Sequence, residues 1–126
     1  MSNTSGAHAN CPMDRVLRQI MGPWTTYILW LLYSQGPLRF GALKTQIEGI
    51  SSKVLTERLR QLEASGLILR DYQPSIPPAV TYSMSERGAE LHEVLDGLNQ
   101  IAFKWAQEDI QAAAARNPAP ELGLNA

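Results

Sequence analysis

The stretch GISSKVLTERLRQLEASGLILRDY, residues 49–72, decides the fold. Glu48-Gly49-Ile50 reads as a tight turn. Ser51 or Ser52 then caps a helix by accepting the free N–H groups of its first turn. Leu55, Leu59 and Leu62 recur at helical spacing and mark a buried face. Lys53, Thr56, Glu57 and Arg60 fall largely outside that face. The helix runs to about Ser65, Gly66 breaks it, and Leu67 to Tyr72 alternates as a strand.

Reading outward, a shorter helix precedes the turn, from Arg39 or Phe40 to Ile47, with Phe40, Leu43 and Ile47 inside. Before it, Pro23 opens a helix to about Gln35 that is apolar nearly all round and reads as the central core helix. Cys11-Pro12 opens the first helix, since proline suits a first turn. Val16, Leu17 and Ile20 are its expected buried stripe, and Gly22 ends it.

Downstream, Thr81 to Met84 is a second extended stretch. The intervening QPSIPPAV carries three prolines, which exclude a regular helix or an interior strand. A hairpin with a long stiff tip fits. Ser85 caps a last helical region reaching about Ala115, with a bend or break expected at Gly97. Its stripe of Leu91, Val94, Leu95, Leu98, Ile101, Ala102 and Trp105 exceeds what a small core can cover. Leu91, Leu95, Leu98, Ile101, Ala102 and Trp105 are therefore assigned to a dimer interface. The expected fold is mainly α with a small β-hairpin, a winged helix-turn-helix with flanking dimerisation helices. Residues 11–117 form the domain, 1–10 are expected to be a disordered tail and 118–126 a flexible one.

The 126 residues carry eleven Lys and Arg against twelve Asp and Glu, so bulk charge gives no reason to expect nucleic-acid binding. The partition is more informative. Nine basic residues stand against six acidic up to Gly88, a net +3, and two against six thereafter, a net −4. The turn–helix–hairpin part is thus mildly basic and the dimerisation part acidic.

The longest apolar run, Tyr27 to Tyr33, is far too short to span a bilayer. MSNTSGAHAN has neither the basic nor the apolar region of an export signal. A cytoplasmic protein with no membrane association is expected. No carboxylate pair, phosphate loop or Cys/His cluster is present, so neither an enzyme, a cofactor nor a metal site is expected.

Side-chain chemistry divides the candidate DNA contacts. Ser51 and Ser52, with the N–H groups of their helix end, suit a phosphate. Lys53, Thr56, Glu57 and Arg60 are candidates for base edges or flanking phosphates, since Arg reads guanine bidentately and Thr packs on a thymine methyl. Arg39 and Lys44 suit phosphates. Arg58 packs against the preceding helix or reaches phosphate obliquely. Tyr72 and Gln73 are wing candidates, and the wing tip carries no Lys or Arg.

These motifs together resemble the HxlR-type winged helix regulators, relatives of the MarR group. The resemblance rests on Cys11-Pro12, Gly22-Pro23-Trp24, Arg39-Phe40 with Leu43, Gly49-Ile50-Ser51, Leu55-Thr56, and Leu59 with Leu62-Glu63. Gly66-Leu67-Ile68, Pro77-Pro78, Val80 with Tyr82, and Ser85 to Gly88 complete it. Pro23 and Thr25 flank Trp24 where the family often has lysine. The resemblance implies a homodimer that binds an inverted-repeat, double-stranded operator and regulates nearby genes. It also implies that a cysteine at the Cys11 position senses oxidants or electrophiles, by alkylation or by joining a cysteine of the other subunit. From the residues alone Cys11, the only cysteine, reads either as a small buried hydrophobe or as a reactive thiol. Two rival functions stand beside the redox-responsive regulator. Trp24, Tyr27, Trp30 and Tyr33 are either core or the lining of a pocket for a small aromatic effector. The chain could also be a winged helix protein-interaction adaptor.

Overall fold

The computed structural model describes residues 11–117, so the tails expected at 1–10 and 118–126 lie outside the described residues. The chain divides after His92 into two compact units. In the first, helix α1 (Pro12–Ile20) is followed by α2 (Thr25–Gln35), strand β1 (Leu38–Arg39), α3 (Phe40–Gln46) and α4 (Ser52–Ala64). Strands β2 (Ile68–Gln73) and β3 (Ala79–Met84) and the short helix α5 (Glu86–Ala89) complete it. Helix α6 (His92–Arg116) begins at the last residue of that unit and runs through the second.

The core of the first unit gathers where α2, α3 and α4 converge on the sheet. Ile28, Leu29 and Leu32 of α2, Leu43 of α3, and Leu55, Leu59 and Leu62 of α4 are almost wholly buried. Ile47, Ile50 and Ile68 close the same core. The central role expected for α2 is met, though Tyr27 lies exposed on its outer side.

The hairpin is antiparallel, in register from Ile68 opposite Met84 to Gln73 opposite Ala79, which leaves Pro74–Pro78 as its tip. A third strand was not foreseen. Leu38 pairs with Tyr82 and Arg39 with Thr81, giving the order β1-β3-β2. Two residues are too few to show the period-two alternation that betrays a strand, and only their distant partner makes them one.

Two expectations about the flanking helices are corrected. Val16 and Leu17 are exposed and only Ile20 of the α1 stripe is buried. Helix α1 packs against α4, and its Val16 and Leu17 side is left uncovered. Nor does the last helical region break at Gly97. It breaks at Glu90-Leu91, where the N–H groups of Glu90 and Leu91 donate to the carbonyls of Arg87 and Gly88, three residues back. Helix α6 is continuous through Gly97, whose cost of about 1 kcal/mol relative to alanine does not end a long helix. Along α6 Leu95 is buried, whereas Val94, Leu98, Ile101, Phe103, Trp105 and Ile110 are exposed.

The break is set by a node at the base of the wing. The buried Ser85 hydroxyl donates to the Gly66 carbonyl at 2.7 Å and accepts from the Gly88 N–H at 2.9 Å. The Ser85 N–H donates to the Leu67 carbonyl at 3.1 Å. One residue therefore caps α5 and fastens it to the chain leaving α4. Ser85→Ala orphans a carbonyl and an N–H together, and the expected loss is about 2 kcal/mol. Urea denaturation checks this, and an unchanged midpoint would contradict it.

Candidate nucleic-acid interface

The interface is built on the turn between α3 and α4. Gly49 holds φ +91°, a conformation that L side chains rarely adopt. Ile47 and Ile50 on either side are buried, so the turn is anchored in the core. Ser51 occupies the N-cap of α4 with extended backbone, and its Oγ accepts the Val54 N–H at 3.1 Å. That bond uses one lone pair and leaves the hydroxyl proton free for a phosphate. At the far end Gly66 has φ +78°. The N–H groups of Gly66 and Leu67 donate to the carbonyls of Glu63 and Leu62, a Schellman closure that turns the chain straight into β2.

With Leu55, Leu59 and Leu62 inside, α4 exposes Ser52, Lys53, Glu57 and Arg60 and leaves Thr56 half-buried. Thr56, Arg60 and Glu63 line one wall of a groove of about 380 Å³, and Arg70 and Tyr82 line the other. Two guanidinium groups, one on the helix and one on the wing, thus border a single groove, against the one carboxylate of Glu63. Arg70 stands opposite Tyr82 in the hairpin register, and its guanidinium lies 5.9 Å from the Tyr72 ring centre. Such a contact steadies a flexible cation over the aromatic face.

The other sequence candidates fall around this groove. Lys44 is exposed in the last turn of α3. Gln73 donates from its amide to Asp71 at 3.5 Å, so the outer wing carries a carboxylate as well as donors. Arg39 is exposed, but it shares a cross-strand row with Thr81 and Asp71, whereas Arg70 shares the next row with Tyr82 and Leu38. Adjacent rows point to opposite sheet faces, so Arg39 leaves the sheet on the side away from Arg70.

Arg70 and Tyr82 are absent from the sequence-derived set. Their signal was available in the period-two pattern, because inward Ile68 puts Arg70 and Tyr72 on the same side of β2. Arg58 takes a role that was not foreseen. Its Nε donates to the Pro23 carbonyl at 3.0 Å, which ties α4 to the link between α1 and α2. Trp24, in that link, has φ +74°. Its ring edge lies 3.7 Å from the point where a Gly49 Cβ would stand. The link therefore braces both the turn and the helix.

The aromatic quartet is accordingly divided. Trp24 lies against the turn and Tyr27 is exposed. Trp30 and Tyr33 meet edge to face, with ring centres 6.4 Å apart. Tyr33 is further engaged, donating its hydroxyl to the Ala89 carbonyl at 3.0 Å and touching the His92 ring, 4.0 Å between centres. Cys11 is exposed at the N-cap of α1, and its side chain makes no capping bond. Cys11 is therefore not buried within the single chain, against the small buried hydrophobe expected as one reading.

Comparison with known proteins agrees with this geometry. The profile of the HxlR-like helix-turn-helix family matches residues 19–110. An uncharacterized HTH-type transcriptional regulator of Synechocystis, sll1512, is 38% identical over 99 residues, covering 79% of this chain and 73% of that protein. A MarR-family protein of Porphyromonas gingivalis W83 has a similar structure, with TM-score 0.71 and 29% identity over 82% of this chain and 95% of that one. The redox regulator HypR in its oxidized form matches with TM-score 0.71 and 29% identity, over 75% of this chain and 96% of that one.

Proposed function

Because the chain belongs to the HxlR-like helix-turn-helix family, we propose that it is a homodimeric, sequence-specific DNA-binding transcriptional regulator of the cytoplasm and not an enzyme. The observation that carries this reading is the groove lined by both Arg60 of α4 and Arg70 of the wing. Helix α4 is presented to a major groove with Lys53, Thr56, Glu57 and Arg60 toward the base edges. Ser51, Ser52 and Lys44 reach flanking phosphates, and Arg70, Tyr72 and Gln73 follow the backbone beside the helix. Arg39, on the other face of the sheet, is left out of this contact set. No helix among the described residues is long and apolar enough to cross a membrane.

The exposed stripe of Leu98, Ile101, Ala102 and Trp105 on α6, with half-buried Leu91 at its start, supports pairing of two copies, whereas Leu95, expected in the same interface, is already buried within the chain and leaves that set. A symmetric pair reads an inverted repeat, with half-sites about one helical turn, roughly 10 base pairs, apart. Selection from a randomised duplex library tests this. A two-fold symmetric consensus is expected, and recovery of no consensus would contradict it.

Cys11 is the proposed sensor, supported by its exposure and by the likeness to HypR. Diamide takes two electrons and two protons from two Cys11 thiols, one from each subunit, and a disulfide joins the subunits. An electrophile would instead add to one thiol. Diamide is expected to change operator affinity at least fivefold in the wild type and not in Cys11→Ser. Full modification of Cys11 with unchanged affinity would refute the sensor role.

A further inference from the structure

A second cleft lies between α1 and the C-terminal half of α4. It has a volume of about 530 Å³ and is lined by Arg15, Arg18 and Gln19 from α1 and by Gln61 and Ser65 from α4. Arg15 and Arg18 are exposed, so the cleft is open to solvent along the α1 side. The lining chemistry is one-sided: two guanidinium forks, two amides and a hydroxyl, with no carboxylate among the lining residues. Among the described residues, no ion pair or side-chain hydrogen bond engages Arg15, Gln19, Gln61 or Ser65. The nearby Asp14 is paired with Arg18, its Oδ2 accepting from the Arg18 Nε at 2.7 Å.

We propose that this cleft binds a small polycarboxylate. A planar guanidinium pairs with a carboxylate through two parallel hydrogen bonds. Arg15 and Arg18 stand three residues apart on one helix, about 5–6 Å between their Cβ atoms, a spacing that suits two carboxylates of one short molecule. Gln61 and Ser65 supply neutral donors from the opposite wall.

The cleft is separate from the DNA groove. At 3.6 residues per turn, Gln61 and Ser65 lie about 140° around α4 from Thr56 and Arg60. The two openings flank the same helix on different sides. The site therefore stands whether or not the groove binds DNA, and its ligand contacts the helix that carries the groove.

Calorimetric titration of the full chain with citrate, against chloride at matched ionic strength, tests the proposal. One citrate per protomer is expected. Arg15→Ala is expected to weaken binding at least tenfold and Gln61→Ala several-fold. Asp14→Asn frees Arg18 and is expected to tighten binding several-fold, a gain that misfolding cannot produce. Lys104→Ala, on α6, serves as the control and leaves binding unchanged. Absence of citrate binding overturns the proposal, as does wild-type affinity in Arg15→Ala or no gain in Asp14→Asn. If citrate fails to bind while Arg15→Ala weakens duplex binding with a shallower salt dependence, the cleft is a DNA-phosphate contact and the proposal is overturned.

Discussion

Gly88→Ala is expected to destabilise the protein by about 3 kcal/mol or more, as overpacking of a tight contact does at its upper range. A Cβ at this position would stand 2.2 Å from the Leu67 carbonyl oxygen and 2.6 Å from the Met84 sulfur. The sulfur ends a flexible side chain and can move. The carbonyl cannot, because it belongs to the chain leaving α4 and already accepts the Ser85 N–H. Helix α5 must therefore withdraw from the wing base, which breaks the two bonds of the Ser85 hydroxyl as well. A fall in the thermal midpoint of roughly 15 °C should follow in a domain of this size. Near-wild-type stability would mean that α5 does not pack against the wing base.

Arg60→Ala is expected to cost about 1–3 kcal/mol in operator binding and to relax sequence preference at one base-pair position in each half-site. Arg70→Ala should behave differently. Its guanidinium sits on the wing over Tyr72, and the proposed reading sets it against phosphate. Affinity for all sequences should fall nearly uniformly, and the slope of log affinity against log salt should lose about one unit per subunit. Anisotropy titrations on the selected site and on single-base variants distinguish the two outcomes. Loss of discrimination in Arg70→Ala with none in Arg60→Ala would reverse the assigned roles.

The readability of the sequence differs from one segment to the next, for physical reasons. Helix α4 was legible almost to the residue, because its signals are local. Ser51 caps it, Leu55, Leu59 and Leu62 repeat at its own period, and Gly66 supplies the left-handed turn that ends it. Strand β1 was not legible, since Leu38 and Arg39 become a strand only by pairing with Thr81 and Tyr82 far along the chain. The two glycines of the last region make the same point. Gly97 looked like a breaker, yet α6 continues through it, whereas Gly88 lies against the Leu67 carbonyl of the chain leaving α4, an approach that no local pattern encodes.

The candidate site divides similarly. Thr56 and Arg60 could be placed by helical period alone, and both line the groove. Arg70 and Tyr82 required the hairpin register to bring a second strand beside the helix. Arg58 was expected to pack against the preceding helix or reach phosphate, but it braces the link through the Pro23 carbonyl, a partner 35 positions earlier in the chain. Val16 and Leu17 read as core because they are apolar, and their exposure in one protomer is consistent with the proposed pairing of two copies.

The most direct test of the central claim is an anisotropy titration of the purified protein against its selected duplex at two salt concentrations, with a scrambled duplex as control. Saturable binding is expected, tighter for the selected duplex. It should weaken steeply as salt rises, because each phosphate contact releases counterions. Equal affinity for both duplexes, or binding indifferent to salt, would contradict α4 and the wing as a DNA-reading surface.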